Sequence, residues 1–164
     1  MDDCSINFEY KIFSKKGFLI ELFMSSFFSK KCEYGLQAVL DLAAKDKDTL
    51  CSAEEISTRL NIPKEFTSKI LQDLTEKGIV SSRKGRDGGF KLVRMVTELK
   101  LIDIVIAIDG DEIFNNCVMG FTNCTKDKKC LLHEEWMEIV NKAYRMLSEE
   151  TIDKLIVKSF NIIV

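Results

Sequence analysis

From Lys30 onward the apolar residues recur every three or four positions. Tyr34, Ala38 and Leu42, widened by Leu36, Val39, Leu40 and Ala43, make one stripe and predict a first helix of about four turns, which ends in the charged turn Lys45–Asp48. Ser52-Ala-Glu-Glu55 has the form of a capping box, in which the serine hydroxyl meets an early helix amide and Glu55 reaches back. The helix it opens carries Ile56 and Leu60 inward and stops at Asn61-Ile62-Pro63. Pro63 predicts the first position of a further helix, where a missing N–H costs nothing. Phe66, Ile70, Leu71 and Leu74 are its expected core stripe, and Gly78 is placed to close it. Outward positions are then Lys64, Glu65, Thr67, Ser68, Lys69, Gln72 and Asp73. The period next changes to two. Ile79–Arg83 and Phe90–Val93 alternate like strands around Lys84-Gly-Arg-Asp-Gly-Gly89.

Two short helices joined by a tight turn predict a helix-turn-helix, and the glycine-rich basic hairpin after them predicts a wing. On that reading Lys64, Glu65, Thr67, Ser68, Lys69, Gln72 and Asp73 are side chains that can reach base edges and phosphates of a double-stranded operator. Arg83, Lys84 and Arg86 lie along the backbone or minor groove, and Gly88 and Gly89 permit close approach. A basic hairpin by itself is a solvated turn; the ordered set of elements is what predicts DNA binding.

Helical spacing resumes at Leu101, Ile104, Val105 and Ile108, before Asp109-Gly110. After a long loop, Trp136, Val140, Ala143 and Leu147 mark one face of a long helix, with Ile139, Tyr144 and Met146 widening it. So broad an apolar face predicts burial against the head or against a second copy. Homodimerisation suits a protein that reads two half-sites about one helical turn apart. Thr151 is placed to cap a last helix carrying Ile152, Leu155 and Ile156.

Charge divides the chain in a way that its net value of −2 conceals. Ser52–Arg94 has nine Lys/Arg against six Asp/Glu, whereas Met95–Lys158 has eight against twelve. A basic middle and an acidic tail fit a DNA-reading head followed by a regulatory segment. The organisation expected is an N-terminal extension over 1–28, loosely ordered and holding six of the eleven Phe, then a winged helix-turn-helix over 29–97. A cofactor loop and dimerisation helix follow over 98–160. The apolar run Gly17–Phe28 lacks a small-residue cleavage site and is too short to span a bilayer. A cytoplasmic protein with no membrane partner is expected.

Three of the six cysteines and the single histidine fall between Cys117 and His133, in the order C-x6-C-x5-C-x2-H. In a reducing compartment, clustered thiols point to metal or redox chemistry rather than disulfides. Cys117, Cys124, Cys130 and His133 are donors that iron–sulfur clusters and zinc both accept. Cys4, Cys32 and Cys51 are scattered and read as buried or incidental thiols. A thiol enzyme pairing one of these cysteines with His133 is the remote alternative, since no oxyanion device accompanies them; the chain is not expected to be an enzyme.

Several segments together resemble the bacterial Rrf-two (Rrf2) family of regulators, typified by IscR and NsrR. They are Lys31-Cys-Glu-Tyr-Gly-Leu-Gln-Ala-Val-Leu-Asp-Leu-Ala43, Ser52-Ala-Glu-Glu-Ile56, Gly85-Arg-Asp-Gly-Gly-Phe-Lys-Leu92, Ile104-Val-Ile-Ala-Ile-Asp-Gly110 and Cys130-Leu-Leu-His-Glu-Glu-Trp136. The resemblance implies a mainly α, homodimeric winged-helix transcription factor, repressor or activator, with a long C-terminal dimerisation helix. It also implies a 2Fe–2S cluster, or alternatively 4Fe–4S, held by Cys117, Cys124 and Cys130. His133 stands where IscR-like members place the fourth ligand. Glu33 stands where NsrR-like members offer a carboxylate from the partner subunit. Six residues rather than five separate the first two thiols, which bears on cluster type. Zinc in the same residues is the alternative cofactor.

Overall fold

The computed structural model describes residues 27–85, 87–122, 124 and 127–163, with side chains as far as Val157. Its elements are α1 (Lys30–Ala43), α2 (Ala53–Leu60), α3 (Lys64–Glu76), β1 (Val80–Arg83), β2 (Gly89–Leu92), α4 (Leu101–Asp109), a 3₁₀ turn (Glu112–Phe114), α5 (His133–Glu149) and α6 (Ile152–Ile163). This is a winged helix followed by a long C-terminal helix. The expected extension, together with Cys4, lies outside the described residues as far as position 26. Phe27 and Phe28 pack with the body of the protein.

The head closes around Val39 of α1, Ile56 of α2, and Ile70, Leu71 and Leu74 of α3, all essentially inaccessible to solvent. Each such side chain contributes on the order of 2 kcal/mol by leaving water. α2 begins with the capping box its sequence predicts: Glu55 N donates to Ser52 Oγ at 3.1 Å, and Ser52 N donates to the Glu55 carboxylate at 2.6 Å. That backbone hydrogen bond, reinforced by the hydroxyl, holds the Glu55 carboxyl below its ordinary value. A lowered folded value means that the stabilisation is complete above about pH 4.3 and is lost as pH falls through the folded value. Wild type and Glu55→Gln are therefore expected to converge in urea midpoint as pH is taken from about 6 to about 3.

α2 ends at Asn61 in the left-handed conformation, with φ 53°. Pro63 stands one residue outside α3 rather than in its first position. Its extended ψ of 132° aims its carbonyl at Thr67 N, 2.9 Å away. The core stripe of α3 also differs by one residue from the expected one. Thr67 is 1% exposed and Phe66 37% exposed. The threonine can be buried because its hydroxyl donates to the Pro63 carbonyl at 3.1 Å, which satisfies its polar atom within the helix. Phe66 turns to the flank and meets Tyr34 of α1 edge-on, centroids 5.6 Å apart. Asp73, expected to face outward, is drawn into ion pairs with Lys31 at 2.5 Å and Lys69 at 3.1 Å.

The wing pairs Val80 with Leu92 and Arg83 with Gly89, antiparallel. Cys51 adds a rung to its inner edge: Cys51 N donates to Phe90 O at 3.0 Å, and Phe90 N to Cys51 O at 2.8 Å. The segment entering α2 thereby straps the wing to the head. Gly89 is packed so closely under this strap that a Cβ there would stand 2.8 Å from the Cys51 carbonyl carbon and oxygen. Backbone cannot yield as a side chain can. Gly89→Ala is expected to cost roughly 1–3 kcal/mol in chemical denaturation.

A second apolar cluster joins α4, the 3₁₀ turn and α5. It comprises Phe28, Cys32, Ile102, Val105, Phe114, Val140 and Leu147, with Phe27, Trp136 and Met137 against it. The buried stripe of α5 is narrower than its sequence pattern. Val140 and Leu147 are buried, whereas Ile139, Tyr144 and Met146 are exposed in the single chain. After α5 the chain returns to the head. Ile152 N donates to Leu99 O at 2.9 Å, and Ile152 sits in the first core beside Ile104 and Leu99.

Candidate metal centre and nucleic-acid interface

The 3₁₀ turn buries Phe114 in the second cluster and delivers Cys117 to the foot of α5. There the chain makes a tight turn. Gly120, with φ 68°, donates its N–H to Cys117 O at 2.9 Å; a left-handed φ of this size favours glycine. Cys124 and Cys130 come back to the same place, and the sulfurs of Cys117, Cys124 and Cys130 all lie within 4.8 Å of one another. Cys117 and Cys130 Sγ are 3.7 Å apart. His133, the first residue of α5, brings Nδ1 to 3.3 Å from Cys124 Sγ. A small cavity is lined by the four donors, Asn115, Asn116, Val118, Trp136 and Met137.

Burial works against ionisation of Cys117. Backbone N–H groups of Met119 and Phe121, helped by the neighbouring thiols, outweigh it and hold that thiol below its ordinary value. Cys130 moves the opposite way, raised by desolvation and by its hydrogen bonds with Cys117 and Cys124. Cys117 is thus the readier of the pair to give up its proton and Cys130 the more reluctant. A bound cation would supply the charge needed to ionise all three. The other two thiols among the described residues are buried in the core: burial, then Asp109, pushes Cys32 up to about 12, and burial likewise raises Cys51.

The donor set fits a thiophilic metal or an iron–sulfur cluster: three convergent sulfurs, one imidazole nitrogen, and partial exclusion of water. Glu33 does not join it within one chain; its carboxylate pairs with Lys30 at 2.6 Å.

Two contacts around this centre, the second of which ties it to the head, were not legible in the sequence. Trp136 Nε1 donates to Asn116 O at 2.9 Å, pinning the residue before Cys117 against α5. Asp109, which ends α4, accepts the Ser29 N–H at 2.8 Å and the Ser29 hydroxyl. Ser29 Oγ in turn caps α1 by accepting Cys32 N at 3.0 Å. The start of α1 and the entry to the cysteine loop therefore share one carboxylate.

On the head, Lys64, Glu65 and Lys69 of α3 are exposed and Ser68 is half-buried. Lys64 is paired with Glu54 at 2.8 Å and Lys69 with Asp73 at 3.1 Å. The i, i+4 pair of α3 could be read from spacing; the Lys31 and Glu54 partners arise only when helices pack. Arg83 and Lys84 are exposed on the wing, while Arg86 lies outside the described residues. Gly88 is half-buried and Gly89 buried. Packing alone demands glycine at both, since a Cβ on Gly88 would come within 2.2 Å of the Arg83 carbonyl oxygen.

No helix among the described residues is long and apolar enough to cross a membrane. The profile of the Rrf2 family, described as "Iron-dependent Transcriptional regulator", matches residues 28–158. A putative HTH-type transcriptional regulator of Aquifex aeolicus is 30% identical over 131 residues, 79% of this chain and 90% of that protein. The HTH-type transcriptional regulator IscR of Photorhabdus laumondii is 25% identical over 78% of this chain and 77% of its own. Among solved structures, CymR, the global cysteine regulator of B. subtilis, superposes with a TM-score of 0.66 at 22% identity, covering 80% of this chain and 96% of CymR. IscR of T. potens superposes at 0.63 with 21% identity, covering 80% and 86%. These two likenesses establish the shared fold.

Proposed function

Because the chain belongs to the Rrf2 family of transcriptional regulators, we propose that it binds a double-stranded operator with an affinity set by an iron–sulfur cluster at Cys117, Cys124 and Cys130. The observation that carries this reading is the convergence of those three sulfurs within 4.8 Å, with the His133 ring beside them. A 2Fe–2S cluster is favoured, with 4Fe–4S as the other form. His133 is the fourth ligand, or else Glu33 of the partner subunit. Bound there, the cluster would supply a centre sensitive to redox state, nitric oxide or iron supply.

What the chain's own residues contribute is a route from that centre to the head. Ligation would fix Cys117 and Cys130, and with Cys117 the Asn116 carbonyl that Trp136 holds. Trp136 and Phe114 belong to the same apolar cluster as Phe28 and Cys32, which flank the start of α1. Order in the loop would thereby bias the placement of α1, against which α3 presents Lys64, Glu65, Ser68 and Lys69 to base edges. The wing would follow the phosphates through Arg83, Lys84 and Arg86, with Gly88 and Gly89 at its turn. The organisation proposed is a head over 29–97 and a cofactor and dimerisation region over 98–160. Ile139 and Met146 of α5, exposed in the single chain, are available to a second copy.

Anaerobic purification followed by absorption and Mössbauer spectroscopy tests the cofactor, and His133→Ala and Glu33→Ala test the fourth ligand. Loss of cluster absorbance in one variant assigns the ligand; retention in both refutes both assignments.

Zinc fits the same donors at one specific distance. Two thiolates on a single tetrahedral zinc stand about 3.8 Å apart, given Zn–S bonds of about 2.3 Å, and Cys117 and Cys130 are 3.7 Å apart. The same edge occurs for two thiolates on one iron of a cluster. A colourless protein carrying stoichiometric zinc after anaerobic purification decides for zinc.

A further inference from the structure

The three thiols are not equivalent in their contacts. Cys124 Sγ lies against the His133 ring at 3.3 Å, while Cys117 and Cys130 Sγ face each other at 3.7 Å. Thirteen positions separate those two along the chain, and their proximity is held from both sides. The Trp136 indole fixes Asn116, immediately before Cys117, and the Cys130 carbonyl accepts the first amide of α5, His133 N, at 3.1 Å. Closing 3.7 Å to a sulfur–sulfur bond of about 2.0 Å asks the two sulfurs to approach by about 1.7 Å. Cys32 and Cys51, 0% and 4% exposed in the core, are shielded from a dissolved oxidant.

We propose that, in the metal-free chain, Cys117 and Cys130 form an intramolecular disulfide on exposure to a hydroperoxide, sparing Cys124 and closing the site to metal until it is reduced. One thiol of the pair takes the terminal oxygen of ROOH, becoming a sulfenic acid and releasing ROH. The other thiol then displaces the sulfenic oxygen as water, forming the S–S bond. Two thiols are oxidised by two electrons and one O–O bond is reduced, with ROH and H₂O as the only other products. Which thiol reacts first does not alter the product. Two of the three sulfur donors are then consumed. Cys124 and His133 alone make too small a set to hold a thiophilic metal. The cross-link joins the same two points that a metal would join, so the oxidised loop stays closed instead of unravelling. The disulfide itself is independent of which metal the site takes; only the block on loading rests on the metal-site reading.

The test uses the full chain carrying Cys4→Ser, stripped of metal anaerobically, treated with a slight excess of hydrogen peroxide and alkylated. Peptide mass mapping is expected to find Cys117 joined to Cys130, with Cys124, Cys32 and Cys51 alkylated. The oxidised protein is expected to take up no zinc, and a dithiol reductant to restore uptake to that of untreated protein. A dominant Cys117–Cys124 or Cys124–Cys130 bond, an intermolecular disulfide, or over-oxidation to sulfinic acids without a cross-link would each overturn the proposal. Mapping on the native trio needs no further variant. Cys124→Ser provides an independent check, since it is expected to yield the same Cys117–Cys130 bond as its product. Failure of the metal-site reading is distinguishable, because it appears as absence of zinc or iron uptake in the reduced, untreated protein.

Discussion

Cys124→Ser is expected to abolish metal retention in anaerobically purified protein, while Cys32→Ala retains the full complement. The two residues differ in setting rather than in chemistry. Cys124 is half-exposed, lies within 4.8 Å of two other sulfurs and touches the His133 ring. Cys32 is buried, its thiol pushed up to about 12 by burial and by Asp109. A serine oxygen is a poor substitute for a thiolate toward iron or zinc. With two sulfurs left, little would remain of the roughly 10–16 kcal/mol of binding free energy that structural metal sites supply. Metal and acid-labile sulfide per chain are the measurements. Retention of full metal by Cys124→Ser, with loss in Cys32→Ala, would remove the assignment of the loop as the metal site.

Lys69→Ala is expected to lower affinity for the specific operator by about five- to 150-fold, the equivalent of roughly 1–3 kcal/mol. Its affinity for unrelated DNA is expected to fall far less. Lys69 is exposed on the outer face of α3, and Asp73 holds its ammonium at 3.1 Å while also binding Lys31 at 2.5 Å. That arrangement limits the side chain to part of its rotamer range before DNA arrives, which suits a reader of base edges. Lys84 on the wing has the opposite expectation: Lys84→Ala weakens all sequences alike and reduces the slope of log affinity against log salt by about one. Titrations with operator and scrambled duplexes at several salt concentrations separate the two. Equal loss on both duplexes for Lys69→Ala would make it a phosphate contact.

Much of the head was legible because its signals are local. The Ser52–Glu55 capping box, the Asn61-Ile62-Pro63 break and Gly78, with φ 69°, are set by the conformations of neighbouring residues. So is the helical reading of Leu101–Ile108, which spacing supplied. The glycines of the wing were legible as a turn, but the reason for Gly89 was not. It depends on the Cys51 backbone, 38 positions earlier, which arrives only when the strap folds over the sheet. The exchange of Phe66 and Thr67 at the edge of the core likewise turned on a hydrogen bond to Pro63 and on the ring of Tyr34. Periodicity assigns a face to within about one residue and cannot register either contact.

At the cysteine loop the division is the same. The sequence by itself determined the donors and their order, because ligand chemistry is a property of residue type and close spacing. It also determined the amphipathic helices and the basic hairpin, since helix and strand periods are written along the chain. Only the tertiary structure decided which sulfurs meet: Cys117 faces Cys130 and Cys124 faces His133, pairs that loop geometry selects from several compatible with the spacing. It alone placed Asp109 between the start of α1 and the entry to that loop, and Trp136 over Asn116. Those contacts join residues 80 and 20 positions apart. They exist because packing brings a donor and an acceptor from distant parts of the chain within hydrogen-bonding reach, which a pattern read along one dimension does not contain.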